Sequence, residues 1–111
     1  MKLPKSIKIR GTSYKIRQLE HVFDDNGKPC HGTCNATEKI IELEKDLNPT
    51  QALEFFLHEW FHGVWSECGL DEESIPEWIE HIFLVGIAKD LTANRIILKR
   101  LLDQLDQKKK T

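Results

Sequence analysis

The chain has no long apolar run. Its longest uncharged apolar stretch, Ile82 to Ala88, is far short of the roughly 18 residues that a membrane span needs, and no membrane partner is expected. Nor is there a surplus of basic residues. Sixteen Lys and Arg stand against 18 Asp and Glu, a formal net charge of −2, so the clustered cationic footprint of a nucleic-acid binder is missing. The one basic run, Lys108 to Lys110, reads as a solvated tail. Cysteine is scarce as well. Cys30, Cys34 and Cys68 are an odd number without the density of a disulfide framework, and are expected as free thiols. The opening Met-Lys-Leu-Pro-Lys-Ser lacks the apolar stretch of a secretory signal, which makes the cytoplasm the expected compartment. What is present is an ordinary balance of 40% hydrophobic and 31% charged residues over 111 positions, enough for one core and against intrinsic disorder. A single domain spanning residues 1–111 is expected.

No internal repeat or linker divides the chain. From Lys5 to Arg17 the apolar residues alternate, Ile7 and Ile9 then Tyr14 and Ile16, around Gly11-Thr12-Ser13, which predicts a β-hairpin. Turn formers concentrate at Asp24 to Pro29, a polar loop is expected from Gly32 to Lys39, and Ile40, Ile41 and Leu43 supply another short strand. The second half is helical. Asn48-Pro49-Thr50-Gln51 combines an N-cap, a proline at the first helical position and the glutamine of a capping box; the helix should run to about Glu67 and stop at Gly69. Ser74-Ile75-Pro76-Glu77 predicts a second start, with helix through Leu91, a break near Thr92 and an end at about Gln107.

Inside the first helix lies His58-Glu59-Trp60-Phe61-His62, an HExxH motif. Residues i and i+4 share a helical face, about 6 Å apart along the axis, so two imidazoles there can converge on one metal ion, with zinc the expected cofactor. Glu59, roughly 100° around the helix, is placed beside a metal-activated water and not on the metal, where it would act as general base. Random shuffling of this composition yields roughly 0.02 such matches, which argues against accident. Leu53, Leu57, Trp60, Phe61 and Val64 form an apolar stripe on the helical wheel, yet Phe55 and Trp65 flank the two histidines on the far side. A helix apolar on both sides is a buried helix. Histidines in that setting need partners, and a shared metal ion supplies them.

A catalytic zinc site takes three protein ligands and keeps an open position. The third must come from elsewhere, and Glu77, Glu80 and His81 share a face of the second helix at spacings of three and four. Glu77 has a structural role open to it as the capping-box carboxylate of the Ser74 start. Spacing alone does not choose among the three.

These residues resemble the small phage or prophage-type zinc metallopeptidases related to the ImmA/IrrE family of HExxH gluzincins. The resemblance covers most of the chain: Ile7 to Ile16 (Ile-Lys-Ile-x-Gly-x-x-Tyr-x-Ile), the segment leading to Ile40-Ile41-x-Leu43, the helix with Phe56 to Trp65, and an acidic stretch opening a helix that contains Gly86. It implies an α+β, zincin-like minimal fold, with a small, mostly antiparallel sheet packed on the HExxH helix and C-terminal helices beside it. It also implies His58 and His62 as zinc ligands, Glu59 as general base, and an early acidic residue of the next helix as third ligand. Placing Gly86 on the family's small residue favours Glu77 there, with Glu80 as the alternative. The chain departs from larger members in having no helix-turn-helix domain and a short gap from His62 to Glu77. The implied activity is hydrolysis of a peptide or protein, with a regulatory protein such as a repressor as target. The substrate is expected to add as a strand to a sheet edge near Glu38 to Leu43. The other reading is a non-catalytic, zinc-stabilised interaction module that uses its C-terminal helix.

Three further features have simpler explanations. Cys30-His31-Gly32-Thr33-Cys34 has neither zinc-knuckle nor haem-attachment spacing. Tyr14, the only tyrosine, lies in an alternating strand, where core packing outweighs a role as oxyanion donor; His31 and His81 are equally eligible donors. Leu84, Leu91, Leu98 and Leu105 recur every seven residues, but His81, Ala88, Arg95 and Leu102 at the companion positions suit no stable coiled coil. The last helix is expected to pack on its own domain, leaving a monomer or a weak homo-oligomer through that helix.

Overall fold

The computed structural model describes residues 1–70 and 75–109, with side chains to residue 106. It is an α+β fold of six strands, β1 (Ser6–Ile9), β2 (Thr12–Leu19), β3 (Val22–Phe23), β4 (Pro29–Cys30), β5 (Gly32–Asn35) and β6 (Ile40–Glu44), followed by α1 (Pro49–Glu67), α2 (Glu77–Ala93) and α3 (Arg95–Lys109). The main sheet has the order β1-β2-β6-β5, and β3 pairs with β4 apart from it. β1–β2 and β5–β6 are antiparallel while β2–β6 is parallel, so the sheet is mixed. No described helix is long and apolar enough to cross a membrane.

The expected hairpin forms, but its turn is Arg10-Gly11, since Ile9 pairs with Thr12. Both turn residues have positive φ, 49° and 84°, as a two-residue turn matched to the strand twist requires. The loop expected from Gly32 to Lys39 is half strand. β5 occupies Gly32–Asn35 and pairs along β6, which makes β6 a central strand. The edge anticipated near Glu38 to Leu43 is therefore covered, and the outer strand of the sheet at that side is β5.

Ile9, Tyr14, Ile41, Leu43 and Phe56 form the buried core, with α1 lying across the sheet. Its ends obey the sequence signals. The Asn48 side chain accepts from the Gln51 amide while the Gln51 side chain accepts from the Asn48 amide. At the other end Gly69, at φ +74°, donates to Ser66 and Leu70 donates to Trp65, the paired bonds that close a helix on a left-handed glycine. The buried face turned to the sheet is Ala52, Phe56, Glu59 and Gly63; of the apolar stripe, Trp60 and Val64 pack against the core, while Leu53, Leu57 and Phe61 are partly buried. Small residues at both ends of that face let the helix axis approach the strands. At Gly63 an added Cβ would stand 2.6 Å from Ile9 Cδ1.

α2 packs on the other side of α1, where Lys89 meets Glu54 at 3.3 Å and the Phe83 ring lies 6.1 Å from Trp65. α1 is thus sandwiched, which is why it is apolar on both sides. α2 starts later than expected: Pro76 is its N-cap, without a side-chain capping bond, and Glu77 is its first residue, so Glu77 is not the N3 carboxylate of a capping box. Ser74, the predicted cap, lies outside the described residues. The expected break falls at Asn94. Contrary to expectation α3 does not pack on its own domain, and every described side chain from Arg95 to Asp106 is exposed.

Candidate metal centre

His58 and His62 lie on the flank of α1 between its sheet-facing and α2-facing sides, both half-buried. Their Nε2 atoms are 3.0 Å apart. Two imidazole nitrogens bound at 2.0–2.1 Å to one tetrahedral ion stand about 3.3 Å apart, so the pair is already near the spacing that a shared ion needs. Nδ1 of His62 donates to Glu80 Oε1 at 2.7 Å. That bond puts the proton on Nδ1 and leaves the lone pair on Nε2, the nitrogen that faces His58; the His58 Nε2–H then donates to it in the absence of metal. The ligand atoms of His58, Glu59 and His62 all lie within 4.8 Å of one another, a group that could hold a metal ion.

Glu59 is only 7% exposed, held between α1 and β5. Gly32 makes that approach feasible: a Cβ there would lie 3.2 Å from Glu59 Cγ, 3.3 Å from its Oε2 and 3.1 Å from the Glu42 carbonyl oxygen. Burial pushes the Glu59 carboxyl up to about 8, because a charged carboxylate loses its water there. Desolvation, with smaller contributions from His62 and His81, lowers His58 to about 4. Both groups are therefore neutral near pH 7 in the metal-free protein.

Two cavities meet at Glu59. The more apolar one, about 350 Å³, is bordered by Phe55, His58, His81, Val85 and Ala88. The more polar one, about 320 Å³, is bordered by His58, His62, Glu77, Glu80 and Asp25. The three candidates for third ligand are thus separated by position. Glu80 holds the back of His62; Glu77 borders the polar cavity with both histidines but stands outside the three-residue group; the His81 ring is 5.8 Å from that of His58 on the apolar side. Gly32 and Thr33, in the loop around Cys30 to Asn35 from which specificity is expected, also border the site, as do Asp24 and Asp25, which sequence reasoning read only as turn formers.

The remaining candidates lie elsewhere or do other work. Tyr14 is fully buried, and its hydroxyl donates to Glu67 Oε1 at 2.6 Å in the company of Lys39. Hydrogen bonds from Lys39 and Tyr14 hold the Glu67 carboxyl below its usual range. His31 borders the apolar cavity, stacked on Phe55 at 4.8 Å with Nδ1 2.7 Å from Glu44. Cys30, Cys34 and Cys68 form no disulfide, and among the described residues the only group that could hold a metal ion is His58, Glu59 and His62. Comparison with protein-family models, curated proteins and solved structures finds no match to this chain.

Proposed function

We propose that this chain is a zinc-dependent peptidase. The observation that carries the reading is the pair of Nε2 atoms 3.0 Å apart beside the buried carboxylate of Glu59. His58 and His62 would hold the ion with Glu77 as third ligand, while Glu80 orients His62 through Nδ1, the role that carboxylates commonly play behind metal-bound histidines. When bound, the ion supplies Lewis acidity to a carbonyl and to water. With the cation beside it favouring the ionised form, Glu59 would take one proton from the attacking water, whose oxygen bonds to the carbonyl carbon. It returns that proton to the nitrogen as the C–N bond breaks. Glu59 suits both halves of this task because it is fixed by packing and borders both cavities.

An extended substrate would add along β5, the outer strand beside Glu59, through backbone hydrogen bonds. The cavity of Phe55, Val85 and Ala88 supports a preference for an apolar side chain next to the cleaved bond. The ImmA/IrrE resemblance extends the proposal to a regulatory protein as target. A second reading, a zinc-stabilised interaction module without turnover, draws on the exposed apolar face of α3. Incubating the zinc-loaded protein with a library of unfolded polypeptides, with mass spectrometry of the fragments, tests the proposal. New termini that vanish on chelation are expected; an uncleaved library at any zinc concentration favours the module.

A further inference from the structure

Two apolar faces in the C-terminal half are uncovered. On α3, Ile97, Leu98, Leu101, Leu102 and Leu105 fall within an arc of about 140° at 100° per residue, and each is 39% to 59% exposed. Lys99, Asp103 and Asp106 lie off this arc, and Ile96, 62% exposed, is an apolar residue outside it. On α2, the side turned away from α1 presents Trp78, Ile79 and Ile82, each 39% to 64% exposed, with Phe83, which meets Trp65 of α1, at its border. One turn further, Gly86 has open space where a Cβ would sit, which lets another helix approach the backbone closely. The radius of gyration, 15.0 Å, exceeds the roughly 13 Å of a compact chain of this length, in keeping with a terminal helix that its own domain does not cover.

We propose that these faces form one interface between two copies of this chain, with α3 of each copy lying along the outer face of α2 of the other. Area favours this occupant. The eight side chains expose roughly 800 Å² of apolar surface per copy, about what each partner buries in a stable interface of standard size. Self-complementarity favours it too. A foreign helix would cover one of the two faces, whereas a two-fold exchange of α3 covers both at once and closes. The exchange also braces α2, the helix whose inner side brings Glu80 to His62.

Light scattering after gel filtration, across the micromolar range, tests this. The expected mass is twice 12.9 kDa. Leu102→Asp on the arm and Ile82→Asp on the receiving face should each give a monomer with an unchanged far-ultraviolet dichroism spectrum. Where Ile82→Asp loses helix signal, Trp78→Lys provides the same test. Mixing the arm and face variants should restore a weaker dimer, because one arm-on-face contact is then intact. Strictly monomeric wild-type protein overturns the proposal, and so does monomeric protein that binds anionic vesicles through α3. A dimer broken by Leu102→Asp but not by either α2 variant overturns the exchange, since the arms would then pair with each other.

Discussion

The Glu80 carboxylate meets Nδ1 of His62 at 2.7 Å, and this leaves the opposite ring nitrogen, Nε2, facing His58. In the proposed site this contact makes Glu80 the carboxylate that orients His62 and leaves Glu77 to bind the ion. Removing an orienting carboxylate typically costs 10- to 100-fold in metal affinity, and removing a ligand costs more. Zinc titration against a chelating dye should therefore show Glu80→Ala weakened within that range and Glu77→Ala weakened further. The reverse order would make Glu80 the ligand.

The buried site should leave its mark on the stability of the metal-free protein. Glu59 rises from 4.5 to about 8 on folding, so between those values the folded chain holds more protons than the unfolded one and stability falls as pH rises. His58 drops from 6.5 to about 4, so across that window the unfolded chain holds more protons and stability rises with pH. The two oppose each other up to about 6.5, and above it the Glu59 slope stands alone. Urea unfolding in chelator should show a loss on the order of 2 kcal/mol between pH 6.5 and 8, absent in Glu59→Gln. A wild-type profile flat across that interval would contradict the burial of this carboxylate.

Gly63 presents two opposed effects of known size. Alanine in mid-helix gains about 1 kcal/mol over glycine, but its Cβ would stand 2.6 Å from Ile9 Cδ1, a side chain only 1% exposed, and overpacking of this kind costs about 1–3 kcal/mol. Gly63→Ala should lower the melting temperature. A rise would mean that the sheet and α1 are less closely packed than described.

Gly32 is the matching case at the site. Alanine there would crowd both Glu59 and the Glu42 carbonyl, and a backbone oxygen cannot move as a flexible side-chain end does. Gly32→Ala should reduce cleavage at least tenfold while zinc content is kept, because β5 and the base shift relative to each other. Unchanged cleavage would mean that Glu59 need not sit against β5.

The caps of α1 were legible in the sequence because Asn48, Gln51 and Gly69 act on their own backbone, and HExxH was legible because one helical turn fixes its geometry. β5 was not. Gly32, Thr33, Cys34 and Asn35 show no alternation of apolar and polar residues, and the strand exists because β6 supplies a ladder for it. The buried face of α1 was not legible from its apolar stripe, because Ala52 and Gly63 are buried for their smallness and Glu59 is a carboxylate. The exposure of α3 was illegible for another reason: an amphipathic period looks the same whether its own domain or a second chain covers it.

The claim on which everything else rests is that His58 and His62 hold a metal ion beside Glu59 as base. Zinc content and peptide cleavage measured side by side on wild type, Glu59→Gln and His58→Ala test it most directly. The account predicts about one zinc per chain in the first two, cleavage in the wild type alone, and neither zinc nor cleavage in His58→Ala. Full zinc in His58→Ala, or undiminished cleavage by Glu59→Gln, would contradict it.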